Sequence, residues 1–238
     1  MKPVFQARGR SGAAFTLIEM LVVVTIIILL MAFSTPALMR TLQASRLASV
    51  GDGLMGAISE AQQVAYAKNT PVEIRFFSYS DPEFKDTPAL FRSYQLFRIV
   101  LETEGVGAAM TVKESLEPVG NLVKLPDGIA IAASEDLSSA LSGGGLLDVA
   151  GDGSSVGYSG VDGATYRALR FMTDGSCRAV STTAEGFATL TYQTLPKSFF
   201  TITYDNAQEI TVDKLPKNFY TIQVDPYTGK ARNYRPGF

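Results

Sequence analysis

Few side chains in this sequence are suited to chemistry, and they are unevenly placed. Among 238 residues there is no histidine and a single cysteine, Cys177. That removes the commonest general base, the His-containing triads, most zinc and haem sites, an internal disulfide and a CxxC redox pair. Cys177 follows a turn and has no imidazole to activate it, so it reads as a small packed residue. No SxxK motif precedes a helical stretch, and Gly143–Gly145, with Gly105 and Gly107, lack phosphate-loop spacing. The residue that stands apart is Glu19, a lone carboxylate inside the apolar run from Ala13 to Phe33. A carboxylate in a membrane segment costs a few kcal/mol even on the mild insertion scale, so such a residue is read as functional. A second acidic group, Asp148, Asp152 and Asp162, lies in Ser142–Gly163 among eight glycines. Calcium is the metal these loop carboxylates suit, but the run from Asp148 to Gly153 lacks the third carboxylate and terminal Glu of an EF-hand loop. The expectation is a solvated loop and no bound cofactor.

The element that carries Glu19 is a helix. From Met20 to Met39, twenty consecutive residues bear no charge. At ~1.5 Å per residue such a helix spans ~30 Å, the thickness of a bilayer's hydrocarbon core. Lys2, Arg8 and Arg10 precede it without any acid, which predicts a cytoplasmic N-terminus and an exported C-terminus. Two plainer readings compete. A cleaved secretory signal would use Thr35-Pro36-Ala37, but its apolar core is normally ~7–15 residues. A generic single-pass anchor explains the length but not Glu19. Beyond the run, Leu47, Val50, Leu54, Ile58, Ala61 and Ala65 recur at helical spacing and form a stripe that would pack on a following sheet. Pro36 marks an end or kink of the membrane part, and Asn69-Thr70-Pro71 stops the helix. Gly51, Gly53 and Gly56 each weaken its second half by ~1 kcal/mol relative to alanine. The expected helix covers 15–68, with about 15–36 in the membrane.

Phe15-Thr16-Leu17-Ile18-Glu19, after a short basic leader and before a long apolar helix, resembles the type IV prepilin signature. The resemblance implies that a membrane prepilin peptidase and methyltransferase cuts between Ala14 and Phe15, removing residues 1–14. Phe15 would become the first, N-methylated residue and Glu19 the assembly carboxylate. Pro36 falls where family members often bend their helix. The family usually has Gly immediately before the Phe, whereas this chain has Ala14, with Gly12 two residues earlier. The physical logic is that the ammonium of a cleaved Phe15 meets Glu19 of an adjacent helix. In low dielectric that pairing relieves two buried charges and sets the register between subunits.

From residue 69 onward the chain reads as β. Val72–Phe76 alternates apolar and charged residues, which predicts a half-buried strand. Tyr94–Glu102, Arg167–Met172, Phe187–Tyr192, Phe199–Tyr204, Phe219–Val224 and Lys230–Tyr234 continue the series, with turns at Asp174-Gly175 and Asp225–Gly229. An internal echo relates Leu195–Asp205 to Leu215–Asp225, matching at seven of eleven positions twenty residues apart. Two copies are too few for a solenoid and read as two similar strands, each introduced by a proline turn. The Asn-Thr-Pro-Val opening and Leu169–Gly175 are similar to segments of H-type minor pseudopilins of type II secretion and FimT-like minor pilins. The expected fold is therefore α+β: a long N-terminal helix, membrane-spanning in its first half, packed on a C-terminal antiparallel β-sheet domain over 69–238.

A net charge of −2 and a pI of 5.3 provide no footprint for nucleic acid, and no catalytic constellation is present, so an enzyme is not expected. The resemblance implies a structural subunit of a type IV pilus-like or type II secretion filament. Its partners would be the peptidase, the membrane and the helices of other subunits. It would start in the bacterial inner membrane with its C-terminal domain periplasmic. The alternative is an unprocessed, membrane-anchored periplasmic binding or sensing module.

Overall fold

The computed structural model describes residues 15–79, 90–105, 110–142, 147–148, 165–184, 187–205 and 210–236. Among these residues one α-helix, α1 (Leu17–Lys68), is followed by an antiparallel sheet, so the architecture is α+β. The strands are β1 (Val72–Tyr79), β2 (Leu90–Glu104), β3 (Thr111–Lys124), β4 (Ile129–Ile131), β5 (Leu147–Asp148), β6 (Thr165–Phe171), β7 (Cys177–Ala184), β8 (Phe187–Thr191), β9 (Phe199–Tyr204), β10 (Tyr220–Val224) and β11 (Ala231–Tyr234). Their order is β11-β10-β9-β4-β2-β1-β6-β7-β8, with β3 on β2 and β5 on β6.

The chain forms two compact units, Met1–Gln43 and Ala44–Phe238. The boundary between these units lies inside α1, whose second half belongs to the core of the sheet unit. Leu47, Leu54, Ile58, Ala61 and Ala65 are wholly buried there, with Ile74, Phe76, Leu169, Phe200, Ile202 and Ile222 in the same cluster. The stripe at helical spacing thus supplies the apolar face that α1 turns toward the sheet. The helix is continuous through Pro36, so proline does not end it. Its missing N–H leaves the Ala32 carbonyl without the usual partner one turn on. Asn69, at φ +50°, and Pro71 close the helix as expected.

Strand β1 departs from expectation. All eight of its residues are buried, the charged Glu73 and Arg75 included. The reason is a second layer: Phe77, Phe97, Tyr166, Ala168 and Val180 form a cluster on the other face of the sheet, partly covered by Leu116, Leu122, Ala188 and Leu190 of β3 and β8. β3 and β7 lack the bulky alternation that marks strands in sequence. β3 is mostly exposed, carries Pro118 and Gly120, and is held as the partner of β2 from Ser93 to Glu104.

The internal echo acquires a geometric meaning. β9 and β10 pair antiparallel with Thr201 opposite Thr221, and their hydroxyls lie 3.0 Å apart. Since the echo displaces each residue by twenty, these two threonines are equivalent. The two copies are therefore related by a local two-fold axis between them. The leading turns differ: Leu195–Lys197 forms a 3-10 turn, whereas in the second copy the turn is Val212–Lys214, just before Leu215.

Candidate functional site

Glu19 sits in the first turn of α1 and Phe15 two residues before its start, and both are exposed. The Phe15 side chain is 74% exposed. Thr16 caps the helix: its hydroxyl accepts from the Glu19 N–H at 3.3 Å, while its own N–H and hydroxyl each donate to Glu19 Oε2 at 2.9 Å. This is a reciprocal capping box, written in the sequence as Thr16-x-x-Glu19 and overlooked when Glu19 is read only as a buried charge. One carboxylate oxygen is thus committed to the helix's own terminus. The other, Oε1, receives no hydrogen bond among the described residues. The positive end of the helix macrodipole adds to the same arrangement.

Within the first unit, the stretch of α1 up to Thr35 is an apolar rod. Leu17–Thr35 has a mean hydropathy of 2.7 and none of it is buried in the protein, which makes it one helix long and apolar enough to cross a membrane. Its other polar side chains are satisfied within the helix. The hydroxyls of Thr25, Ser34 and Thr35 donate to the carbonyls of Leu21, Leu30 and Met31 at 2.7–2.8 Å. A segment that meets its own polar needs in this way suits a water-free environment.

In the sheet unit the charged residues of β1 are neutralised in place. Arg75 Nε donates to Glu73 Oε1 at 2.7 Å, and Arg170 Nη2 donates to Glu73 Oε2 at 2.8 Å. Arg170 also reaches across to β3, with Nη1 and Nη2 at 2.8 and 3.0 Å from the two oxygens of Glu114. Glu114 Oε2 further accepts from the Ala188 N–H of β8 at 3.2 Å. The Arg75 guanidinium lies 4.2 Å from the Tyr166 ring centre and 5.4 Å from that of Phe97. Burial opposes the charge of Arg170, but Glu114 and Glu73 outweigh it and hold its pKa above the ordinary arginine value. With every charge partnered, this cluster serves to tie β1, β3, β6 and β8 together. Cys177 is buried, and burial pushes its thiol pKa up, which suits a packed residue and not a nucleophile.

The contact between α1 and the sheet depends on Gly51. A Cβ there would lie 2.5 Å from the ring of the wholly buried Tyr220. The Tyr220 hydroxyl donates to Asp52 Oδ1 at 2.9 Å and accepts from Asn233 Nδ2 at 2.7 Å. Further along, Gln62 Nε2 donates to the Thr228 carbonyl at 3.0 Å, fixing the Asp225–Gly229 turn against the helix.

Phe15 and Glu19 therefore share one exposed helix terminus, as their spacing implies, whereas Ala14 lies outside the described residues. Pro36 is inside α1. Asp148 belongs to the backbone of the short strand β5, and Asp152 and Asp162 lie outside the described residues. Among the described residues no group of His, Cys, Asp or Glu is arranged to hold a metal ion. Besides Thr16, sequence reading missed Arg170 and Glu114, whose partners are distant in the chain, and Tyr220, whose role rests on a glycine across the core. No protein-family model, no curated protein and no solved structure matches this chain.

Proposed function

We propose that this chain is a structural subunit of the prepilin type, a minor pilin or pseudopilin, which is processed at Phe15 and assembled through its N-terminal helix. The observation that carries the reading is Glu19. It is the one charge in an otherwise uncharged membrane-length helix, and it is placed in the first turn with one oxygen committed to Thr16 and the other without a hydrogen bond among the described residues. Hydrolysis of the Ala14–Phe15 bond places a carboxylate on Ala14 and an amine on Phe15, and N-methylation keeps that amine cationic. The Phe15 ammonium of one subunit then pairs with the open oxygen of Glu19 on the next, while the capping box holds the carboxylate in position. Span and register come from α1, and contacts with cargo or neighbours come from the sheet unit. The subunit starts in the inner membrane with residues 1–14 cytoplasmic and the sheet unit periplasmic.

Crosslinking of Glu19 variants to other subunits in membranes tests this. Glu19→Val inserts as well or better, because a carboxylate leaves the membrane segment. Its assembly fails, because the neighbour's ammonium is buried unpaired at a cost of ~3–5 kcal/mol. Glu19→Asp is intermediate, since its shorter side chain reaches less far. Equal yields for Glu, Asp and Val would remove the assembly role and favour an anchored binding module.

A further inference from the structure

A cavity of about 150 Å³ opens where β1 and β3 end and β4 begins, and the proposed assembly role makes no use of it. Arg92, Lys124 and Asp127 line it, together with the apolar side chains of Leu125, Pro126 and Ile129. Its wall is well built. The Leu125 N–H donates to the Arg92 carbonyl at 2.8 Å, Ile129 N–H to Pro126 O at 3.1 Å, and Asp205 N–H to Gly128 O at 2.9 Å. The Arg92 side chain is 10% exposed, and its Nη1 lies 2.5 Å from Asp205 Oδ2. Its other two nitrogens, Nε and Nη2, are buried without a hydrogen-bond partner among the described residues.

Those two nitrogens form one edge of the planar guanidinium. Their N–H bonds run parallel at the spacing of the two oxygens of a carboxylate. Native proteins rarely leave buried donors of a charged group unmet, so this edge calls for an acceptor. The charges nearby decide which kind. Arg92 and Lys124 are matched in number by Asp205 and Asp127, so the named groups hold no surplus positive charge, which favours a monoanion over a dianion. The apolar wall favours a carbon skeleton over an inorganic ion. The volume matches that of a cavity of about 150 Å³ known to hold benzene, enough for a carboxylate with a few carbons attached. We infer that this cavity binds the carboxylate of an organic monoacid, presented by a polypeptide as its chain terminus or as an acidic side chain. Arg92 lines the cavity while this edge is itself buried, so binding requires the guanidinium to turn toward the ligand while keeping Asp205.

The test follows the Arg92 Nε–Hε resonance of the full ¹⁵N-labelled chain in detergent micelles during titration. The probes are propionate, a tripeptide with a free C-terminus and no acidic side chain, a C-terminally amidated tripeptide containing Glu, the fully neutral amide, and inorganic phosphate. Propionate and at least one acidic peptide shift the resonance saturably, whereas the neutral amide and phosphate do not. A response to the free terminus alone assigns a chain end, and a response to the Glu peptide alone assigns a side chain. Lys124→Gln weakens binding about two- to fivefold, the scale of one exposed charge. Arg92→Lys keeps a cation beside Asp205 but loses the paired donors, and saturable binding, read in that variant from the Leu125 and Ile129 backbone amide resonances, disappears. If Arg92→Lys does not fold, Lys124→Gln still decides, because unchanged affinity in it overturns the inference. Absence of a saturable shift with every carboxylate, or phosphate binding as tightly as propionate, overturns it equally.

Discussion

Two alanine substitutions on one helix should move stability in opposite directions. At Gly51 an added Cβ would lie 2.5 Å from Cε2 and Cζ of Tyr220 and 2.6 Å from Cδ1. Ordinary carbon contacts are ~3.5–4.0 Å, so the ring must retreat by about 1 Å. Tyr220 is wholly buried and tethered through its hydroxyl to Asp52 and Asn233, so that retreat strains the core or breaks a hydrogen bond. Overpacking of this kind costs ~1–3 kcal/mol and a lost hydrogen bond ~1 kcal/mol. Against this, alanine is better than glycine in a helix by ~1 kcal/mol. Gly51→Ala is therefore expected to destabilise the sheet unit by ~1–3 kcal/mol. At Gly56 an added Cβ meets nothing within 4 Å. Gly56→Ala thus keeps only the helical gain and stabilises by ~0.5–1 kcal/mol. Urea unfolding of the full chain in mild detergent, followed by circular dichroism, measures both. A Tyr220→Ala background should reverse the sign for Gly51→Ala, since the obstructing ring is gone. If Gly51→Ala stabilises as much as Gly56→Ala with Tyr220 present, the packing argument is wrong.

Replacing Arg170 with Leu leaves the wholly buried Glu73 without its cross-strand partner and Glu114 without a guanidinium, so a loss of ~3–5 kcal/mol is expected in the same assay. A loss below ~1 kcal/mol would show that the second layer does not depend on this cluster. Acid weakens the two turns beside the helix. Hydrogen bonds from Ser176 hold the Asp174 carboxyl below its ordinary pKa of 3.8, and the Tyr227 N–H, with Thr228, does the same for Asp225. A depressed pKa in the folded chain stabilises it above the unfolded value. Their contribution is therefore complete above pH 3.8 and fades as pH falls from there through the folded values. Asp174→Asn should flatten the acid limb of a midpoint-versus-pH curve, and an unchanged limb would exclude that role for Asp174.

Much of the fold was legible because it rests on local pattern. The spacing from Leu47 to Ala65 marks the buried face of α1, and the aromatic and β-branched runs mark β9 and β10. The strands that escaped are those whose partners, not their composition, make them strands. β3 is polar and interrupted by Pro118, and β7 is built of small residues apart from Arg178. The half-buried reading of β1 failed because Glu73 and Arg75 face a second layer whose neutralising groups, Arg170 and Glu114, are far away in the chain. The three helix glycines look equivalent in sequence, yet only Gly51 faces an aromatic ring at close range. At the candidate site the converse holds. Glu19 and its spacing from Phe15 are visible in the sequence, and so is the Thr16 cap to a reader who applies the capping-box pattern.

The proposed role turns on the N-terminus of the chain as it exists in the cell. Co-expression with a prepilin peptidase, followed by intact and tandem mass spectrometry, reads it directly. The account predicts a chain that begins with N-methylated Phe15. Without Lys2, Arg8 and Arg10 its net charge changes from −2 to −5. Ala14→Gly should be processed at least as well. A chain that keeps Met1 beside an active peptidase, in both the native and the Ala14→Gly forms, would contradict the account and leave a membrane-anchored domain in its place.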